Sequence, residues 1–472
     1  MRVPSEYLSV LRELVPEPVE IVGGGVEGQS TAKFLLGAGY ERVTLRDRNP
    51  DVPAPDGCDR RCGADYLAEL PSKGTVVRSA GVRPDQPAFQ AFRGTGGRIL
   101  SQLPIFLALF QGVRKGRVAG ITGTFGKGTV TTLLSDMLRH AGIDHLVGGN
   151  IGTPMLDLLL RPDLPETVLL ELSSFQLCDL GAPSILPAGL ERDDFCPRVG
   201  VAGRVTIEHL DWHVDQIEYW NAKARLCEDQ NDTDHAVFLS SDPGSVFVGM
   251  AGSGIPHGIG EGGELVPDRE VVRDAQGNVV LRREDMLVPG AFQLVNASLA
   301  WAAARILGAS DESCHAGAVG FAGLPHRLQF AGEQNGIRYY NDSYATRPEA
   351  ALAAVEALSD RPLALILGGS DKGIDFTELA EGLRAASNLK FVGLIGATAE
   401  RLRAALEQEG PLHFALMDFP HLPQAFDACR QAVAQGGSVL LSPACASFGL
   451  FKNYKERGEA FLALAKSVVG PA

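Results

Sequence analysis

The chain has 472 residues, 45% of them hydrophobic and 21% charged, a mix that excludes wholesale disorder. Its 57 acidic residues against 43 basic ones give a net charge of −14, which excludes a surface-wide grip on nucleic acid. Any phosphate must then be held locally, by backbone N–H groups, a few placed cations and a metal ion. At roughly 150 residues per domain, the length predicts about three domains.

In chain order, the first stretch, Met1–Pro18, carries Glu6, Arg12, Glu13 and Glu17 where a secretory leader needs an apolar core. No apolar run approaches the roughly 20 residues of a membrane span. The eight cysteines are scattered; only Cys58 and Cys62 are close, and no second pair completes a zinc site. These features predict a cytoplasmic protein with no membrane partner. Short β-branched runs then alternate with Ala/Leu-rich helical stretches, which predicts α/β units with mostly parallel sheets. Three predicted strands end in glycines: Val19–Gly25, Arg117–Gly123 and Leu363–Gly369. The stretch Gln102–Lys115 crosses from the first unit to the second, and Leu324–Arg327 reads as the hinge into the third. Between Ser240 and Asn278 the composition turns Gly/Asp/Pro-rich, predicting a β-rich edge.

The sharpest motif is GITGTFGKGT at Gly120–Thr129: a strand, a glycine-rich turn, Lys127, then a helical segment. Glycines let backbone N–H groups face phosphate oxygens, the lysine adds a mobile cation, and a hydroxyl can ligate Mg²⁺. Gly128 occupies the usual hydroxyl position, which leaves Thr129 for that role. Gly23-x-Gly25-x-x-Gly28 with Asp47 downstream fits a dinucleotide turn, or equally another diphosphate ligand such as a UDP-sugar with Asp47 and Arg48 near its uracil or ribose. Glu171 ends a predicted strand at a position suited to a metal. His209 and His213 stand four apart, but Leu210 excludes the H-E-x-x-H zinc pattern; His213 is expected as a partner on a helix face.

In order along nearly the whole chain come GITGTFGKGTVTTL, Gly148–Gly152, ELSSFQL at Glu171–Leu177, EHLDWH at Glu208–His213 and Tyr219–Lys223. Gly290–Asn296, GLPHR at Gly323–Arg327, Tyr340–Thr346, Gly368–Lys372, LSPACAS at Leu441–Ser447, Phe451–Tyr454 and Arg457–Gly458 follow. This set resembles the Mur ligases of peptidoglycan synthesis, most closely their glutamate-adding branch. The resemblance implies an α/β protein of three domains: a Rossmann-like N-terminal domain over 1–110 that binds the UDP substrate, a central P-loop ATPase domain with a mostly parallel sheet over 111–325, and a Rossmann-like, glutamate-binding C-terminal domain over 326–472. It implies ATP-driven amide formation between UDP-N-acetylmuramoyl-L-alanine and glutamate, D-glutamate by preference, through an acyl phosphate.

The resemblance also implies roles. Gly123, Thr124, Gly126, Lys127, Gly128 and Thr129 hold ATP phosphates and Mg²⁺, with Asn296, Arg327 and Asp342 at nucleotide-contact positions. Glu171 and His209 fall at metal-site positions, and Lys223 matches a lysine that is carbamylated and so helps hold a second Mg²⁺. Lys127, His209 and Lys223 are the expected catalytic set. Asn150 meets the muramoyl substrate, and Thr346, Lys372, Ser447 and Tyr454 hold glutamate. A monomer with small-molecule partners alone is expected. Four residues depart from the pattern: Gly128; Tyr344, where the commonest form has Lys; Tyr454, where Phe is frequent; and Phe292-Gln293, where many members have His-Asn. The two tyrosines leave L-glutamate open. Gly128 suggests a folylpolyglutamate-synthase-type ligase, and Gly23–Gly28 alone a nucleotide-sugar dehydrogenase.

Overall fold

The computed structural model describes residues 3–210, 212–371, 373–433 and 436–469. Three sheets succeed one another along the chain. The first contains β1 (Val19–Val22), β2 (Val43–Asp47), β3 (Asp59–Cys62), β4 (Thr75–Arg78) and β5 (Arg98–Leu100) in the order β3-β2-β1-β4-β5, all pairs parallel. The second contains β6 (Arg117–Thr122), β7 (His145–Gly149), β8 (Thr167–Glu171), β9 (Val199–Ala202), β10 (His235–Leu239), β11 (Ile255–Ile259), β12 (Leu265–Pro267), β13 (Val271–Asp274) and β14 (Val279–Arg282). Its order is β14-β13-β12-β11-β10-β9-β6-β8-β7; β11 through β7 is parallel, and β12 pairs with β13 antiparallel. The expected β-rich edge is therefore present as β11–β14.

The third sheet contains β15 (Gln329–Gln334), β16 (Ile337–Asn341), β17 (Leu363–Leu367), β18 (Leu389–Ile395), β19 (Ala415–Phe419) and β20 (Ser438–Leu441). Its order is β15-β16-β20-β17-β18-β19, and only β15–β16 is antiparallel. The central strands β1, β8 and β17 are buried along their whole length. That is what a continuous apolar run in a parallel sheet covered on both faces requires. Each expected glycine-ended strand stops before its terminal glycines, at Val22, Thr122 and Leu367, because the ladder ends where the backbone turns.

By internal packing the described chain separates into two compact units: residues 1–267, 272–280 and 296–318, and residues 268–271, 281–295 and 319–472. In the first unit one continuous core joins the first two sheets, running from Val3 through Leu45, Phe106, Leu170 and Phe238. The segment Gln102–Val113, the expected crossing between domains, is an α-helix running into a π-helical turn, nearly all of it buried. In the second unit separate clusters cover the two faces of the third sheet, one around Leu365 and Leu379, the other around Ile366 and Phe426. No helix among the described residues is long and apolar enough to cross a membrane.

Candidate active site

β6 ends at Thr122, and the turn Gly123–Gly126 leads into the helix Lys127–His140. Gly126 takes a left-handed conformation, φ +79°, and a Cβ there would lie 2.6 Å from Asn296 Oδ1. Only glycine therefore makes this turn with Asn296 against it. Lys127 Nζ curls over its own loop, donating to the carbonyls of Gly123 at 2.9 Å and Thr124 at 3.1 Å. Thr129 sits half-buried in the first turn of the helix, and Gly128 is buried beside it.

The helix Gln216–Glu228 brings a second lysine to the same loop. Lys223 is 1% exposed, and its Nζ donates to Gly123 O at 2.9 Å and Thr122 Oγ1 at 3.2 Å. Burial, and then the charge of Lys127, push its ammonium well below the ordinary lysine range. One turn earlier, Tyr219 sets its ring 4.8 Å from Lys223 Nζ and bonds Thr124 Oγ1 through its hydroxyl at 2.9 Å. Burial raises that hydroxyl to about 12, so it stays neutral. Sequence reasoning gave Tyr219 no role; its spacing, four residues before Lys223 on one helix face, was the available signal.

Glu171 ends β8 opposite Ile121 of β6. Its Oε1 accepts a hydrogen bond from Asn150 Nδ2 at 2.7 Å, and its carbonyl accepts one from the Asn150 N–H at 2.8 Å. His209 is partly exposed at φ +57°, its ring 4.9 Å from that of Phe175 and 6.5 Å from that of Tyr219. His213 does not lie on a helix face. The Asp215 side chain accepts the Glu218 N–H and starts the helix only at Gln216, so His213 is left in the preceding loop. There it is buried, with Nε2 3.0 Å from Ser174 Oγ, and burial lowers its pKa. At the end of β2, Asp47 accepts the N–H groups of Gly24 at 2.6 Å and Asn49 at 2.7 Å, fastening the strand end to the glycine turn, and Arg48 is exposed.

The second unit carries its own group. Asp342, at the end of β16, accepts the Leu328 N–H at 3.0 Å and the Ser442 hydroxyl at 2.7 Å; burial lifts its carboxyl to about 7. The Arg327 guanidinium lies 4.0 Å over the Tyr344 ring, and the Tyr454 ring meets Tyr344 edge-on at 5.1 Å. The Ser343 hydroxyl donates to Tyr454 O at 2.8 Å, and the buried Arg457 donates to Ser343 and to Cys445 O. Ser447 is buried, and Thr346 borders a cavity of about 650 Å³ with Arg347 and Ala446. Lys372 lies outside the described residues.

Among the described residues no three His, Cys, Asp or Glu side chains come together as a ready-made metal site; of the residues expected to meet Mg²⁺, Thr129 and Glu171 carry the oxygen donors that a hard cation takes. Lys223 joins such a set only as a carbamate, because an ammonium would repel the ion. Its burial disfavours that ammonium and favours the neutral amine.

Two family models match the chain: Mur ligase middle domain over residues 121–304, and Mur ligase, glutamate ligase domain over residues 326–445. The UDP-N-acetylmuramoylalanine–D-glutamate ligase of Pelotomaculum thermopropionicum is 31% identical over 97% of this chain and 99% of its own. The chain belongs to the Mur ligase family. The enzymes of the same name from Roseiflexus sp. and Nitratidesulfovibrio vulgaris are 34% and 33% identical, covering 95% of this Mur ligase and 98% and 96% of their own lengths. Among solved structures, MurF ligase from Thermotoga maritima in complex with ADP matches with a TM-score of 0.56 at 16% identity, covering 99% of both chains. A UDP-N-acetylmuramoyl-L-alanyl-D-glutamate–2,6-diaminopimelate ligase matches with a TM-score of 0.59 at 16% identity, over 84% of this chain and 91% of its own. These structural likenesses show the fold: multi-domain α/β with mainly parallel sheets.

Proposed function

We propose that this ATP-dependent ligase adds glutamate, D-glutamate as in its relatives' names, to UDP-N-acetylmuramoyl-L-alanine in peptidoglycan precursor synthesis. The observation that carries this reading is the identity of 31–34% with enzymes of that name over nearly the full length of both chains. Family membership leaves the Gly23–Gly28 turn no nicotinamide to hold, so the dehydrogenase reading is set aside.

A carboxylate oxygen of the alanyl group attacks the γ-phosphorus of ATP; the bond to the bridging oxygen breaks and ADP leaves. The glutamate amine then attacks the acyl carbon, loses a proton, and phosphate departs. Two anions must meet in the first step, so charge neutralisation is the main demand. Lys127, now on the carbonyls of its own loop, turns to the phosphates, and the N-terminus of the helix Lys127–His140 adds its N–H groups. Asn296 stands against the loop, Asn150 orients Glu171, and Tyr219 holds Thr124. Bound Mg²⁺, two ions in this proposal, would supply positive charge at Thr129, Glu171, His209 and a carbamylated Lys223. Arg327 and Asp342 serve the nucleotide, Asp47 and Arg48 the UDP group, and Thr346, Lys372, Ser447 and Tyr454 the glutamate. The proposed domains are 1–110, 111–325 and 326–472, each holding one of the three sheets. The enzyme works as a monomer in the cytoplasm, where ATP and its UDP-linked substrate are made.

A second reading, L-glutamate, draws on Tyr344 and Tyr454, whose rings meet edge-on with the Arg327 guanidinium over Tyr344. The acyl-phosphate step is tested with substrate whose alanyl carboxylate carries heavy oxygen. One heavy oxygen should appear in the released phosphate; none would contradict the step.

A further inference from the structure

Glutamate enters with two carboxylates, and a cavity that selects it must oppose that charge. The cavity of about 650 Å³ in the second unit is lined by Thr346, Arg347, Pro348, Glu349, Ile374, Asp375, Glu378 and Ala446. Arg347 is the only cation among the described lining residues; Lys372 lies outside them. Arg347 is exposed, and no carboxylate among the described residues lies within ion-pair distance of its guanidinium. Its backbone is fixed, because Arg347 is the N-cap residue of the helix Pro348–Ala357, with Pro348 at the first helical position. The side chain makes no capping bond, so it adds nothing to the helix start.

Asp375 accepts both the N–H and the hydroxyl of Thr377, the first residue of the helix Thr377–Ala385, and these bonds keep its carboxylate ionised. Tyr344 cannot supply a second cation, since a phenol carries no positive charge, and the Arg327 guanidinium lies over its ring. Thr346 precedes Arg347 and Ala446 precedes Ser447, so the cavity touches two of the segments assigned to glutamate.

We propose that Arg347 binds one carboxylate of the incoming glutamate and thereby sets the preference for an acidic amino acid. The inference rests on the glutamate-ligase reading above. A planar guanidinium fork matches a carboxylate with two parallel hydrogen bonds, a geometry that a lysine cannot reproduce. With Arg347 gone, Glu349, Asp375 and Glu378 would face the substrate with no cation left among the described lining residues. The loss should therefore fall on glutamate binding alone.

The test is steady-state kinetics of the full-length enzyme and its Arg347→Gln and Arg347→Lys variants, with glutamate, glutamine and isoglutamine as acceptors. Because the side chain makes no capping bond, the fold should survive. Thermal melting of each variant checks this, and Arg347→Lys keeps the test valid if the glutamine variant melts early. The expected result is a rise of tenfold or more in the glutamate KM for Arg347→Gln, with KM for ATP unchanged and kcat within about twofold. Arg347→Lys should recover part of that loss. The amide that lacks the contacted carboxylate should be insensitive to the change, and the other amide should remain sensitive. An unchanged glutamate KM in an active Arg347→Gln enzyme would overturn the proposal while leaving the ligase reading intact. Equal sensitivity of both amides would also overturn it, since a general charge effect would then explain the loss. Wild-type enzyme that shows no glutamate-dependent phosphate release would overturn the ligase reading, and this proposal with it.

Discussion

The carbamate proposed on Lys223 would tie catalysis to the pKa of one buried side chain. An ammonium cannot take up carbon dioxide, whereas a neutral amine can. Burial and the neighbouring charge of Lys127 depress the Lys223 pKa, so the neutral amine persists to lower pH than in an exposed lysine. As pH falls through the depressed value the amine protonates and the carbamate is lost. Activity should therefore decline on the acid side, and added bicarbonate should shift that decline to lower pH. Lys223→Ala should lose activity by about a hundredfold or more, the scale of removing one electrostatic stabiliser from a dry site, and acetate should restore part of it. A full-speed Lys223→Ala enzyme, or a profile indifferent to bicarbonate, would argue against the carbamate. The unfolded chain protonates this lysine at its ordinary pKa, so between the two values unfolding takes up a proton. Stability from this residue thus rises with pH across that window.

At the scale of single elements, the first glycine motif is a packing device. A Cβ on Gly28, in the helix Val26–Gly37, would sit 1.9 Å from Gly23 O, so Gly28 lets that helix lie directly on the turn after β1. Gly28→Ala should destabilise the protein by about 2 kcal/mol or more through overpacking. Gly25→Ala is the control: nothing lies within 4 Å of a Cβ there, and a near-neutral effect is expected. Chemical denaturation of both variants measures the difference. Elements of this kind were legible in the sequence because their signals are local: apolar runs such as Leu363–Leu367 ended by glycine, or a lysine opening a helix after a glycine turn. What was not legible depends on distant residues. The burial of Lys223 needs Thr122 and Gly123, about a hundred positions away. The buried Arg78 finds Asp179 across a gap of 101 residues. His213 looked like a helix residue because its spacing from His209 is helical, but the Asp215 cap starts the helix after it. Arg347 drew no notice because its significance comes from a cavity that Ile374, Asp375 and Ala446 complete.

For the whole molecule, the proposed reaction draws on phosphate-binding residues of the first unit and on glutamate-binding residues of the second. Both must act for ATP to be consumed productively. The most direct measurement incubates the purified protein with ATP, Mg²⁺, UDP-N-acetylmuramoyl-L-alanine and either D- or L-glutamate. The nucleotide products are then weighed by mass spectrometry while phosphate release is followed. The account predicts a UDP product heavier by one glutamyl residue, one phosphate released per product, and a preference for D-glutamate. Absence of that product with both enantiomers, in a folded protein that binds ATP, would contradict it.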